Sequence, residues 1–93
     1  MELDLDAPYE VHPQVSLRAE PFGALAYHFD TRRLSFLRSH DMVEVVKALA
    51  GSRSVRDALA AVGVEERRWP SFAKALATLE RSEMIRVRAA THR

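Results

Sequence analysis

The stretch Ala24-Leu25-Ala26-Tyr27-His28-Phe29-Asp30-Thr31-Arg32-Arg33-Leu34-Ser35-Phe36-Leu37 decides the fold. Ala24 to Phe29 reads as a strand that places Leu25, Tyr27 and Phe29 on one face, because side chains alternate along extended backbone. Asp30, Thr31 and Arg32 supply turn chemistry, and Arg33 to Leu37 returns as the next strand. Two β-forming runs joined by a few polar residues predict a hairpin, although the turn lacks the glycine of the strongest hairpin signals. Just upstream, Val15-Ser16-Leu17-Arg18 alternates apolar and polar residues, and Pro21 with Gly23 closes it. The region predicts a three-stranded antiparallel meander in which Arg33–Leu37 is an edge.

Downstream the apolar period changes from two to 3.6. Ser39 is a good N-cap, Met42, Val45, Val46 and Leu49 follow at helical spacing, and Gly51 ends the run. Ser54 caps a second, short helix with the stripe Val55, Ala58, Leu59 and Val62, which Gly63 terminates. A third helix starts between Glu66 and Pro70, since proline is tolerated in a first turn, and ends near Ser82. Its seam is Trp69, Phe72, Leu76 and Leu79. Met84 to Arg88 alternates again as a short strand. Strands first and helices after make the class α+β, and two short helices followed by a longer one and a strand suggest a winged helix-turn-helix.

Outward from this body lie two ends. Residues 1–14, with alternating acids, Pro8 and Pro13 and no period, read as an acidic flexible arm; residues 15–88 read as one domain and residues 89–93 as a tail. The chain has 93 residues and a net charge of +1. That balance hides a division, −5 over residues 1–30 and +6 over residues 31–93. A basic surface suits nucleic acid and an acidic peptide alike.

Several chemistries are excluded. With no cysteine the chain offers neither a disulfide framework nor a thiolate metal site. No two of His12, His28, His40 and His92 stand three or four apart on one helix, and His28 reads as an outward-facing strand residue. Gly23, Gly51 and Gly63 are isolated, so no phosphate-cradling loop exists. No stretch approaches the roughly 18 apolar residues of a membrane span, and the acidic N-terminus is unlike a signal peptide. The sequence therefore predicts a cytoplasmic non-enzyme that binds neither metal nor cofactor and contacts no membrane.

Two features point to binding. An open edge at Arg33–Leu37 offers unpaired main-chain groups, and on the third helix the small Ala75 falls about 60° from Phe72, leaving room for a groove. Arg67, Lys74 and Arg81 line the solvent side of that helix.

Val15–Arg18, Ala24–Leu37, the helix ending Ala50-Gly51 and Ser54-Val55-Arg56-Asp57-Ala58-Leu59 together resemble the PqqD-like precursor-recognition domains of ribosomal peptide maturation pathways. Leu17 to Leu37 looks most like the small peptide chaperones of the mycofactocin pathway. The resemblance spans about residues 15–88 and consists of hydrophobic spacing and turn placement. Many PqqD-like domains carry Leu-Asn after the third strand, where this chain has Leu37-Arg38-Ser39. The resemblance implies that the leader of a precursor peptide adds as a strand to Arg33, Leu34, Ser35, Phe36 and Leu37. The groove wall would be Arg68, Phe72, Ala75, Leu76 and Leu79. It further implies a radical S-adenosylmethionine (radical SAM) maturase as partner, which holds the iron–sulfur cluster and the nucleotide cofactor. The alternative from the residues is a winged-helix DNA-binding protein using Arg67, Lys74 and Arg81 with Arg86 and Arg88 as the wing; the stripe lacks Asn or Gln for base reading. An open edge can also pair two copies as a homodimer.

Overall fold

The computed structural model describes residues 3–88, so the tail at 89–93 lies outside the described residues. The elements run β1 (Tyr9–Val11), β2 (Val15–Glu20), β3 (Gly23–His28), β4 (Leu34–Leu37), α1 (His40–Ala48), α2 (Val55–Val62), α3 (Trp69–Arg81) and β5 (Ile85–Val87). The α+β class and the β2-β3-β4 antiparallel meander are as the sequence predicts. Single 3-10 turns, Leu49–Gly51 and Glu66–Arg68, follow α1 and precede α3.

The caps explain the helix boundaries. Ser39 Oγ accepts the Met42 N–H at 3.0 Å, and Ser54 Oγ accepts the Asp57 N–H at 3.1 Å. Gly63 closes α2 in the left-handed region, φ 88°, where glycine carries no Cβ penalty. Pro70 occupies the first turn of α3, where its missing N–H costs nothing. Fully buried Val45, Val55, Ala58, Leu59 and Leu76 join the three helices in one core, each larger side chain contributing roughly 1.5–3 kcal/mol of transfer free energy.

From Leu3 onward the N-terminal segment packs on the domain instead of forming an arm. Tyr9–Val11 pairs antiparallel with Ile85–Val87, in register Tyr9 to Val87 and Val11 to Ile85. Leu3 and Tyr9 are buried, and the Val55 and Arg56 N–H groups donate to the carbonyls of Ala7 and Leu5. A three-residue strand is too short to show a period, and its partner lies at the other end of the domain, so local pattern could not reveal it. The same pairing makes the winged-helix description a loose one, because β5 joins β1 instead of forming a separate wing.

The sheet also faces the other way round from the sequence reading. Its inner side presents Ala24, Ala26 and His28, all buried, while Leu25 and Tyr27 are half-buried and Phe29 is exposed. Small Ala24 and Ala26 let α1 settle close on β3. His28 is 1% exposed. Its Nδ1 accepts the N–H groups of Asp30 and Thr31 at 3.2 and 3.3 Å, which ties the β3–β4 turn, and its ring lies 4.5 Å from that of His12. Its Nε2 is buried with no hydrogen-bond partner among the described residues.

A cleft between an open strand edge and a helix

β4 ends the sheet, and its free side is defined by hydrogen-bond parity. The His28 N–H donates to the Arg33 carbonyl at 3.0 Å. Antiparallel ladders alternate bonded and non-bonded pairs, so Ala26/Ser35 and Ala24/Leu37 are the bonded pairs of this register. On the other side of β3 the Phe29 N–H donates to the Gln14 carbonyl at 2.8 Å, which gives the same parity. Ser35 and Leu37 therefore turn their main-chain groups toward β3. Leu34 and Phe36 turn theirs outward, with no neighbouring strand among the described residues.

Beside this edge lies a cleft of about 500 Å³ lined by β4 and the residues after it (Ser35, Phe36, Leu37, Arg38, Ser39), by Met42 of α1, and by Ala75, Thr78 and Leu79 of α3. Ala75 is half-buried on the cleft wall and Leu79 is buried at its base. Met42, held in place by the Ser39 cap, closes the end toward α1. The wall is mainly hydrocarbon, with the Ser39 and Thr78 hydroxyls at its margin.

Of the residues predicted from sequence, the structure brings Ser35, Phe36, Leu37, Ala75 and Leu79 together around this cleft. Leu34 lies on the same strand, with an exposed side chain on the outer face. Arg33 precedes β4 and is exposed. Phe72 and Leu76 are core residues, 5% and 0% exposed, and have no surface to offer a groove. Arg68 spreads over the Phe72 ring at 5.2 Å and pairs with Asp41 at 3.2 Å, which pins α3 to the start of α1. Arg38, Ser39, Met42 and Thr78 also line the cleft, of which the sequence marks Ser39 only as a helix cap. A helical wheel places Thr78 beside Ala75, whereas the spacing of Met42 marks it only as core.

The cations proposed for nucleic acid are largely engaged. Arg86 pairs with Glu10 at 2.8 Å, Arg88 donates to the carbonyls of Tyr9, Leu49 and Ala50, and Arg67 pairs with Glu65 at 3.1 Å. Among the described residues no group of three or more His, Cys, Asp or Glu side chains is placed to hold a metal ion. No helix among them is long and apolar enough to cross a membrane.

An open edge over a mostly apolar cleft is a geometry for main-chain recognition of an extended chain. Residues 8–86 match the peptide chaperone MftB family. The chain belongs to that family. The peptide chaperone MftB of Mycolicibacterium smegmatis is 46% identical over 82 residues, 88% of this chain and 80% of its own length. Its namesake in Mycobacterium tuberculosis is 42% identical over 90 residues, covering 97% of this chain and 83% of its own length. That of Mycobacterium ulcerans is 44% identical over 82 residues, or 88% and 75%. No solved structure matches significantly. The MftB match begins at residue 8 and so includes β1.

Proposed function

We propose that this MftB-family chain is a non-catalytic chaperone that binds the leader of a ribosomally made precursor peptide as a strand added to β4, and presents it to a radical SAM maturase. The observation that carries this reading is the outward parity of Leu34 and Phe36 beside the cleft of Ala75, Met42 and Leu79.

The energetics say what such a site must select. Leu34 and Phe36 offer about four main-chain bonds, worth roughly 0.5–1.5 kcal/mol each net. Ordering about five peptide residues costs about 1–2 kcal/mol apiece. Main-chain pairing alone falls short. Two apolar side chains at about 1.5–3 kcal/mol each close the gap, and they enter the cleft at the peptide positions opposite Ser35 and Leu37. The backbone supplies register, and the cleft supplies choice.

A calorimetric titration with leader peptides N-methylated one residue at a time tests the mode. Only every second amide of an added strand faces β4, so affinity should fall at alternate positions. Uniform tolerance of methylation overturns strand addition, and tight binding of duplex DNA at physiological salt supports the nucleic-acid reading instead.

A further inference from the structure

The outer face of the sheet carries a second hollow, which meets the cleft at Phe36 and Arg38. Gly23, at φ 148°, lies where a Cβ would overlap the Leu37 carbonyl oxygen. That close approach draws the β2–β3 turn against the end of β4 and sets Phe22 beside Phe36, their rings edge-on with centroids 5.8 Å apart. The Arg38 guanidinium stands 5.4 Å over the Phe36 ring. The three side chains line an open hollow of about 420 Å³. Phe22 and Phe36 are 44% and 55% exposed. Arg56, Arg67, Arg68 and Arg86 each have a carboxylate within salt-bridge distance, whereas Arg38, like Arg32 and Arg33, has none among the described residues.

We propose that a peptide strand added to β4 is held on both faces, and that Phe22, Phe36 and Arg38 read its outer face for an apolar residue and a carboxylate two positions apart. This inference rests on the reading that a peptide adds at β4. Peptide residues beside Phe36 and Arg38 are two apart whichever way the added strand runs, because the alternation of β4, carried one residue past its end at Leu37, puts Arg38 on the face of Phe36. The residue between them points into the inner cleft. A partner carboxylate meets Arg38 already held over an aromatic ring. A second copy of the chain is the poorer occupant. Isologous antiparallel pairing of two β4 edges centred on Ser35 would set Arg38 of one copy against Arg32 of the other, like charges face to face.

The test uses three fluorescent synthetic peptides with Leu at every inner position and Val at the outer ones, except for a single outer Glu, Gln or Lys. Anisotropy titrations of the full chain should rank them Glu, then Gln, then Lys, with steps of about two- to fivefold that shrink in high salt. Arg38→Glu should invert the order. Phe22→Ala, in an exposed turn, should weaken all three by about three- to tenfold with an unchanged melting temperature. An unchanged order in Arg38→Glu, or a parent protein indifferent to the outer charge, overturns the outer reading and leaves strand addition standing. Failure of all three peptides to bind the parent overturns both. A dimer in sedimentation that peptide does not dissociate puts a second copy on the edge and likewise overturns it.

Discussion

Neighbouring prolines in β4 should have opposite consequences. In Leu34→Pro the lost N–H is one that faces outward, and β3 keeps its bonds to Ser35 and Leu37. Proline is tolerated on an edge strand in that orientation, so the melting temperature should change by only a few degrees. Binding loses one hydrogen bond and leaves a leader carbonyl unpaired at the rim of the cleft. The first effect is about 0.5–1.5 kcal/mol and the second about 1–3 kcal/mol, together a loss of affinity of roughly tenfold to a thousandfold. Leu34→Ala keeps the N–H and should lose much less. In Ser35→Pro the lost N–H is the one directed at Ala26, whose surroundings are buried, and losing that bond and stranding its acceptor costs about 3 kcal/mol of stability. For a domain of this size that lowers the melting temperature by roughly 12–24 °C. Calorimetric titration with leader peptide and thermal melts by circular dichroism read the two quantities separately. Equal loss of binding in folded Leu34→Pro and Leu34→Ala, or a Ser35→Pro protein as stable as the parent, refutes the parity on which the site is built.

Ala75→Trp should fill the cleft between α3 and β4, weakening leader binding about ten- to a hundredfold while the melting temperature hardly moves; Lys74→Glu, exposed on the same helix, should bind like the parent, and calorimetry of both decides. Gly23→Ala should destabilise the domain by about 2–3 kcal/mol in denaturant melts, since its Cβ would overlap the Leu37 carbonyl in a backbone conformation that side chains rarely adopt. The Tyr9 phenol, which donates to both Glu80 carboxylate oxygens at 3.2 Å, is pushed up to about 12 from 10.0 by burial and then by the Glu80 charge. The unfolded chain therefore loses that proton first as pH rises. The stabilisation is complete below pH 10 and is lost on going up through about 12, a decline that alkaline denaturant titrations should find flattened in Tyr9→Phe.

What the sequence revealed was what is local. Ser39, Ser54 and Gly63 each act within a turn of their own position, and so the helix ends were legible. So was the meander, because its partners are joined by tight turns. The facing of the sheet was misjudged because Leu25, Tyr27 and Phe29 outweigh Ala24 and Ala26 in apolar size. The core prefers the small residues there, since α1 needs to approach β3 closely. His28 shares the parity of the two alanines and goes inside with them. Ala75 and Leu79 could be assigned to a cleft from helical spacing. Met42 could not, because its contribution depends on where α1 crosses the end of β4.

The β1–β5 pairing gives the domain a division of folding time. The β2-β3-β4 meander joins residues close in sequence, so its loops close early and at small entropic cost. Tyr9 and Val87, partners in register, are separated by nearly the whole domain, and their contact has to wait for everything between them. The open edge of β4 thus belongs to the quickly formed, local part of the chain, whereas the clasp that ties the ends is its slowest and most length-dependent contact. Opening the clasp is a route for local unfolding that leaves β4 paired to β3. In hydrogen exchange the amides of β1 and β5 should then open before those that hold β4 to the sheet, and peptide capture should outlast the seal between the ends.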